Sequence, residues 1–463
     1  RQTLLARVHA EVGECALSVA RLASAISAAK AALVAPEAAA PELAPIYAAY
    51  EKSLAAAGAL DFDDLVARAV WLLEADEAAL VFARGRCRHL LVDEYQDINA
   101  AQYRLVRLLA PEGSSTNLCA VGDPDQSIYG FRGSDPSYFA CFASAYPGAR
   151  TLTLARNYRS VASVVGLATA VIERSRGRVP RPLQPVSARG SKVLRQVLAD
   201  ERAEADFIAA EIEAQVAGTS FLSMDAGRAA DGHGLAFHQI AVLVRLSAQA
   251  DAIEEALDRS GIPCHRRGDD AFSSRPYVAD ILAKLRRNVD ATEAKPKPVA
   301  DLLATLVPDA KLDPRCLRAL ELLQAFAVPF GTDAASFLAE MALARETDLQ
   351  YLPQKVALLT LHASKGLEFP LVFIAGCEDG ILPLRLPWLP PADLDEERRL
   401  LYVGMTRAQQ RLILTAAHRR NLAGRTVENR PCPFLGDVPA DLLTTSFSAP
   451  RRRKARQLSL LKS

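Results

Sequence analysis

The 463-residue chain lacks several features that would place it in other classes of protein. Its eight cysteines are scattered without close pairs, which disfavours a zinc site or a disulfide framework and favours a reducing compartment. No apolar run is long enough to span a bilayer. The net charge is only +1, so any nucleic-acid surface must be local. The length of 463 residues predicts about three domains, and 50% hydrophobic with 24% charged residues fits a globular protein.

One stretch, residues 88–97, organises the interpretation of the rest. Within it a short aliphatic run, residues 90–92, ends in Asp93 and Glu94. Such a run is typical of a strand buried on both faces of a parallel sheet, and acids at its carboxyl end lie where open α/β sheets bind ligands. One acid there can hold Mg²⁺ through its waters, and the next can orient an attacking water. For these two acids alone, a strand end with solvated carboxylates is the better explanation.

Strand and helix patterns alternate along the chain, which predicts an α/β fold with parallel sheets and right-handed crossovers. The first 58 residues are alanine-rich and helical in pattern, and the acids of residues 61–65 suit the N-terminus of a further helix. The predicted strands are residues 90–92, 118–121, 151–154, 240–244, 356–361, 371–375 and 412–416. The other predicted helices are residues 46–60, 100–109, 201–216 and 249–260.

Seven short stretches stand in an order that resembles one protein family. They are residues 61–65, 93–97, 122–133, 157–160, 240–245, 360–369 and 396–408. In this order the chain resembles the superfamily 1 DNA helicases of the UvrD, PcrA and Rep type. One such motif would be weak support, whereas seven in order are specific. The resemblance implies RecA-like motor domains with parallel sheets, the first of them incomplete, plus helical segments.

The resemblance also divides the chain into six expected segments. These are a helical remnant of the subdomain inserted in motor domain 1 (1–58), a part of motor domain 1 (59–150), the first part of motor domain 2 (151–290), a reduced helical insertion (291–353), the second part of motor domain 2 (354–440) and a basic, disordered tail (441–463).

The resemblance assigns the nucleotide chemistry to residues of these motifs. ATP hydrolysis depends mainly on positioning and charge neutralisation. By resemblance, Asp93 helps to hold Mg²⁺, Glu94 orients the attacking water and Gln126 senses the γ-phosphate. Arg159 and Arg407 correspond to two arginine fingers, a role that suits arginine because it stays charged and binds phosphate in a forked geometry. The implied nucleotide-binding residues are Tyr158, which would stack on adenine, Glu368, which would bind ribose, and Gly366.

A track for single-stranded DNA is implied in the same way. Such strands are held by aromatic stacking and phosphate contacts, which tolerate any base sequence. The implied DNA contacts are Tyr129, Phe131, Arg132, Thr360, His362 and Lys365. The family usually has tryptophan where Phe131 stands, so the stacking area is smaller here. Outside its motif, His362 would more often be a structural residue.

The sequence departs from the family in three places. No Gly-x-x-x-x-Gly-Lys-Ser/Thr loop occurs in the chain, and the first residue is Arg1, so we expect a fragment whose parent carries that loop. The insertion at residues 291–353 is short for the family. The segment 418–431 resembles a strand-separating hairpin, but its tip lacks the aromatic residue often found there.

The sequence therefore predicts a large part of an ATP-dependent 3′-to-5′ DNA helicase or translocase, which is inactive or weak alone. Its expected partners are single-stranded DNA, junctions with duplex DNA and a sliding clamp, which residues Gln457 to Leu461 would bind. We expect a bacterial, cytoplasmic and nucleoid-associated protein that acts in repair or replication. A non-catalytic DNA-binding or partner-binding module is the alternative. A helicase–nuclease subunit is disfavoured because few residues follow Ala417.

Overall fold

The computed structural model divides the chain into two compact units. It describes residues 2–13, 17–176, 178, 180–187, 190–216, 234–267, 276–291, 297–306, 314–343, 355–386, 391–422, 424–436 and 438–447. The first unit comprises residues 1–155, 175–179 and 393–402, and the second comprises residues 156–174, 180–392 and 403–463. No helix within the described ranges is both long and apolar enough to cross a membrane.

Up to residue 155 the first unit contains eight described α-helices, and the first three of them pack as a small group. The eight helices are α1 (Gln2–Val12), α2 (Val19–Ala31), α3 (Ala44–Ala56), α4 (Phe62–Ala75), α5 (Glu77–Arg86), α6 (Ala100–Leu109), α7 (Ser137–Ala140) and α8 (Phe142–Ala145). Buried apolar side chains of the first three helices, including Leu5, Ile26 and Tyr50, share one core. The helical pattern predicted for this region is therefore confirmed, and α6 has the bounds that the sequence predicted.

Helix α4 begins with the cap that the acids of its sequence predicted. The Asp61 carboxylate accepts the Asp64 N–H at 2.9 Å, and the Asp64 carboxylate accepts the Asp61 N–H at 3.0 Å. The fully buried ammonium of Lys30 on α2 lies 2.8 Å from Asp64, 3.0 Å from Asp61 and 2.7 Å from Glu51. Because a buried ammonium needs paired acceptors, this cluster fixes α2, α3 and α4 relative to one another.

A two-stranded parallel sheet carries the acidic stretch. Strand β1 (His89–Val92) pairs with β2 (Asn117–Ala120), which confirms two of the predicted strands to within one residue. The predicted burial on both faces is wrong, because alternate residues are exposed and Leu91 is 74% exposed. Within the described ranges no third strand joins this pair. An aliphatic run therefore indicates a strand without showing that both of its faces are covered.

The strand predicted at residues 151–154 is also wrong. Leu152 is 80% exposed and Leu154 is 88% exposed, and neither belongs to a strand. The first ladder in this region is instead β3 (Arg156–Asn157), which pairs with β4 (Gln184–Pro185). An extended apolar segment becomes a strand only where another strand offers it hydrogen bonds.

The second unit contains a large sheet, which confirms the α/β prediction. Its strands are β5 (Val193–Asp200), β6 (Ile240–Val244), β7 (Cys264–Arg267), β8 (Val356–Thr360), β9 (Phe369–Ile374), β10 (Ala408–Leu422), β11 (Arg425–Glu428) and β12 (Leu443–Phe447). The order is β12-β5-β10-β9-β6-β8-β7, with β11 paired to β10. These ladders are parallel except that between β10 and β11, which is an antiparallel hairpin.

Eight further α-helices follow β3 in the described part of the chain. They are α9 (Ala162–Ile172), α10 (Glu201–Gln215), α11 (Gln249–Arg259), α12 (Pro276–Ala291), α13 (Val299–Thr305), α14 (Pro314–Ala327), α15 (Ala334–Leu343) and α16 (Leu394–Met405), whose first nine residues belong to the first unit. Helices α12 to α15 share their own apolar core, which includes Val278 and Phe337. This shared core begins on α12, ahead of residue 291, where the expected insertion begins.

The expected disordered tail needs a correction at its start. Strand β12 (Leu443–Phe447) runs parallel to β5 at the end of the sheet, so these five residues are ordered. Threonine and phenylalanine favour a pleated strand, which explains why this segment pairs although basic residues follow it. Residues 448–463 lie outside the described residues, and with them the proposed clamp motif.

Candidate functional site

The carboxyl end of β1 delivers two acids into solvent in the first unit. Asp93 and Glu94 follow the strand directly, and both are exposed. The Asp93 carboxylate accepts the N–H of Glu94 at 2.9 Å. Glu94 has a left-handed backbone with φ of 51°, which is uncommon for a residue other than glycine. Backbone conformations of this kind cluster at functional sites, and this one turns the chain sharply after the strand.

A hydrogen-bonded chain links Glu94 to the end of the neighbouring strand. The buried amide of Gln96 donates from Nε2 to the Glu94 carboxylate at 2.5 Å. Its Oε1 accepts the Asp123 N–H at 2.9 Å, and the Asp123 carboxylate accepts Nε2 of Gln126 at 2.8 Å. Two predicted site residues, Glu94 and Gln126, are therefore connected through two residues that sequence reasoning had not assigned. The polar amide inside an acidic run was the signal for Gln96.

Gly122 makes this connection possible. A Cβ at this position would lie 2.4 Å from Oε1 of Gln96 and 2.9 Å from the ring of Phe139. Any side chain would therefore displace the amide that bridges the two strand ends. The glycine before Asp123 is thus required by close packing.

The acids fit a metal that is shared with a bound phosphate. No group of three or more histidine, cysteine, aspartate or glutamate side chains could hold a metal ion within the described ranges. Mg²⁺ commonly uses one or two protein carboxylates and takes its other ligands from water and phosphate. The exposed carboxylate of Asp93 suits that arrangement, because solvent and phosphate oxygens can reach it.

The predicted DNA-facing rings also come together in the first unit. The Tyr129 and Phe131 rings lie 6.0 Å apart between centroids. The Arg132 guanidinium lies 5.3 Å from the first centroid and 5.5 Å from the second. Phe131 is 62% exposed. A cation beside two rings combines phosphate attraction with stacking.

Later segments of the chain hold this loop in place within the first unit. The Gly130 N–H donates to Glu396 on α16 at 3.0 Å, and Nε of Arg399 donates to the Ser127 carbonyl at 2.7 Å. Burial raises the pKa of Glu396, although the Gly130 N–H and Arg399 oppose the rise. The loop between Gln126 and Arg132 is therefore fixed by contacts from helix α16. Gly130 and Glu396 are 266 residues apart in sequence.

A buried ion pair anchors Asp125, which directly precedes this loop. Nε of Arg178 lies 3.0 Å and 2.9 Å from the two carboxylate oxygens of Asp125. Both side chains are nearly inaccessible to solvent, at 6% and 9% exposure. Sequence reasoning missed this pair because its partners belong to segments far apart in the chain.

The second unit brings three predicted nucleotide residues together. Nε of Arg159 donates to the Glu368 carboxylate at 2.6 Å. The other carboxylate oxygen of Glu368 accepts Nε2 of Gln409 at 2.9 Å. Arg407 donates from Nη1 to the carbonyl of Leu367, the residue before Glu368, at 3.2 Å. The two candidate arginine fingers therefore meet the same short loop.

Arg407 differs from Arg159 in its surroundings. Its side chain is buried, with the residue only 2% exposed, and its Nε donates to the Val403 carbonyl at 2.9 Å. Nη2 lies 3.2 Å from Oγ1 of Thr406. Arg159 is partly exposed, and the neighbouring Tyr158 is 68% exposed and presents an open ring. The two arginines thus have the same charge but different freedom to move.

The remaining predicted residues lie at the end of β8 and in the segment between β8 and β9. Thr360 ends β8 and is buried, with its hydroxyl accepting the Ala363 N–H at 3.2 Å. His362 begins a single 3-10 turn that ends at Ser364, and Lys365 follows it; both residues are partly exposed. Gly366 has φ of 82°, a left-handed conformation that favours glycine and leads the chain into Glu368.

Comparisons with known proteins relate most of this chain to one family of helicases. Residues 5–147 match the UvrD/REP helicase N-terminal domain, and residues 152–295 and 329–419 match the UvrD-like helicase C-terminal domain. The ATP-dependent DNA helicase UvrD1 of Mycobacterium leprae is 32% identical over 88% of this chain and 66% of its own length. The ATP-dependent DNA helicase PcrA of Leuconostoc citreum is 30% identical over 90% of this chain and 66% of its own length. The chain thus spans just under two thirds of these curated relatives.

Proposed function

Because this chain belongs to the UvrD-like helicase family, we propose that residues 1–463 supply much of an ATP-dependent DNA helicase or translocase. It would move 3′ to 5′ along single-stranded DNA during repair or replication. The observation that best supports this proposal is the series of hydrogen bonds from Glu94 through Gln96 and Asp123 to Gln126. It connects the residue proposed to orient water with the residue proposed to sense the γ-phosphate.

The hydrolytic roles follow from charge and position. Bound Mg²⁺ would neutralise charge on the phosphates, and Asp93 would contribute a carboxylate to it. Glu94 would orient the attacking water, and its hydrogen bond from Gln96 keeps the carboxylate directed.

The second unit would supply the cationic groups. Arg159 and Arg407 are proposed to stabilise charge on the transferred phosphoryl group, Tyr158 to stack on adenine and Glu368 to bind ribose. The 2.6 Å contact between Arg159 and Glu368 keeps the finger next to the proposed ribose site. Arg407 would act with little loss of side-chain freedom, because its carbonyl contacts already fix it.

The DNA contacts would be the rings of Tyr129 and Phe131 in the first unit, and His362 and Lys365 in the second unit. Stacking on exposed rings and contacts to phosphate would hold DNA of any sequence. Junctions between single and double strands are proposed as a further substrate. We also propose that residues 457–461 bind a sliding clamp, and that the protein associates with the nucleoid in the cytoplasm.

The experiment uses two proteins, residues 1–463 and a loop-containing form in which a phosphate-binding loop precedes residue 1. Because residues 1–463 contain no such loop, we expect them to bind single-stranded DNA without appreciable ATP hydrolysis. The loop-containing form should hydrolyse ATP, and DNA should stimulate it. If residues 1–463 hydrolysed ATP as fast as the loop-containing form, the proposal that hydrolysis requires this loop would be refuted.

The absence of that loop from residues 1–463 also favours a second candidate function, a non-catalytic DNA-binding or partner-binding module. The same experiment separates the two. A module predicts DNA binding with no DNA-stimulated hydrolysis in either protein. The helicase proposal predicts hydrolysis in the loop-containing form alone.

A further inference from the structure

The hairpin of β10 and β11 is short and mostly solvated. It contains four residue pairs, from Arg419 opposite Glu428 to Leu422 opposite Arg425. Among its residues whose burial is described, Arg420 alone is buried, at 4% exposure. A two-stranded hairpin of this size is at best marginally stable by itself. The direction in which it leaves the sheet must therefore depend on its root.

Arg420 is held between two buried acids at that root. Its Nε donates to Glu378 at 2.6 Å, and its Nη2 donates to Glu204 at 2.5 Å. Each acid is only 1% exposed. Glu204 lies in the first turn of α10, and Glu378 follows β9. The guanidinium thus ties the hairpin to two separate elements of the second unit.

The two acids are themselves fixed to the sheet. Glu378 accepts the Ala417 N–H of β10 at 3.0 Å and Nδ2 of Asn429, just beyond β11, at 3.2 Å. Glu204 accepts the hydroxyl of Thr415 at 2.6 Å and the Gly376 N–H at 2.9 Å. The Glu378 carboxylate therefore binds both sides of the hairpin root, and the Glu204 carboxylate binds Thr415 and the neighbouring backbone.

Burying three charged groups is a poor way to gain stability, because the loss of hydration offsets much of their attraction. Such an arrangement is better suited to fixing one geometry. The arginine satisfies both acids only when the hairpin leaves the sheet in one direction, since both contacts require the same guanidinium. A hairpin in another orientation would leave buried charges unpaired.

We propose that Arg420 is a positioning residue, which holds the β10–β11 hairpin rigidly so that its exposed arginines meet the phosphates of duplex DNA at a junction. The exposed hairpin and flanking residues Arg419, Arg425 and Arg430 carry three positive charges against the single negative charge of Glu428. Contacts to phosphate need no aromatic tip. This inference rests on the proposed function in DNA unwinding.

The test compares residues 1–463 with the variants Arg420→Met and Arg411→Met. Arg411 is a matched control, because it also lies on β10 and pairs with a glutamate of α10, Glu211, but is 38% exposed. Hydrogen exchange of the hairpin amides measures rigidity. Fluorescence anisotropy with a 3′-tailed duplex and with single-stranded DNA measures junction preference.

We expect hairpin amides to exchange about tenfold faster in Arg420→Met, while the amides of β6 and β9 stay protected. Junction affinity should fall about fivefold or more, with single-strand affinity within about twofold, because only duplex phosphates meet the hairpin. Arg420→Lys, which keeps the charge, should recover part of the junction preference. Arg411→Met should change neither measurement.

If Arg420→Met does not fold, the variant with Glu204→Gln, Glu378→Gln and Arg420→Met replaces it, because it leaves no buried charge unpaired. Unchanged hairpin exchange in a folded variant, or a loosened hairpin with an intact junction preference, overturns the inference. Single-strand binding without any junction preference in the unsubstituted protein also overturns it. Failure to bind either DNA refutes the proposed function, and hairpin exchange then still decides whether Arg420 anchors the hairpin.

Discussion

The two parallel sheets of this protein carry similar aliphatic runs but are covered differently. In the first unit, alternate residues of β1 and β2 are exposed, and Leu91 is 74% exposed. In the second unit, every residue of β6 is buried, and Leu243 is fully inaccessible. In the first unit Glu94 is held by a hydrogen bond from Gln96, whereas in the second unit Thr360 ends a fully buried strand.

The largest expected effect concerns the packed side of this comparison. In the loop-containing form, Arg407→Ala should reduce the rate of ATP hydrolysis by about 10³-fold or more, as with other arginine fingers. Steady-state hydrolysis with saturating DNA measures the rate. Arg411→Ala, which removes an arginine a few residues away, should retain activity. Near-normal hydrolysis in a folded Arg407→Ala variant would show that this buried arginine only braces the loop at Leu367.

A pair of leucine substitutions tests the difference in burial directly. Leu243→Ala should lower the free energy of unfolding by about 2–5 kcal/mol, because it removes buried methyl groups and leaves a cavity. Leu91→Ala should change it by about 0.5 kcal/mol or less, because that side chain is exposed. Urea unfolding of residues 1–463 checks both values. Equal losses would mean that β1 is covered in solution.

Substitution of Phe131 tests whether an exposed ring of the first unit binds DNA. Phe131→Ala should weaken binding of single-stranded DNA by about 1–3 kcal/mol, the usual contribution of one stacked base. Phe447→Ala removes a ring of the second unit that is 71% exposed, and serves as the control. Anisotropy titration at fixed salt measures both. An unchanged affinity for Phe131→Ala would assign this ring to packing alone.

A further expected effect is a pH dependence of stability in the second unit. Burial raises the pKa of Glu378 to about 7; Arg420 opposes the rise and Glu204 adds to it. A raised carboxyl pKa means that its contribution to stability is present below the unfolded value near 4.5 and is lost as the pH rises through about 7. Glu378→Gln should make the free energy of unfolding less dependent on pH, by up to about 1.4 kcal/mol per pH unit, because one titrating proton is removed. Urea unfolding measures this free energy between about pH 5 and pH 8. The same pH dependence in the unsubstituted protein and in Glu378→Gln would contradict this assignment.

Sequence patterns predicted the strand-helix order well where local chemistry decides the structure. The cap at Asp61 and helix α6 are examples, because neighbouring residues within one turn specify them. The strand predicted at 151–154 failed and strand β12 was missed, because pairing depends on partners far away in sequence. Gln96 and Arg178 were missed for the same reason, since each acts through a contact across at least one intervening element.

The substitution Glu94→Gln in the loop-containing form tests the central proposal most directly. A carboxamide keeps the shape and the contact with Gln96 but is a poor base. We expect ATP affinity to stay within about threefold while turnover falls by about 10²- to 10⁴-fold. Glu112→Gln, at an exposed acid of the same unit, should alter neither quantity. Turnover that persists in Glu94→Gln, or a loss of ATP affinity with normal turnover, would contradict the assignment of Glu94 as the residue that orients the attacking water.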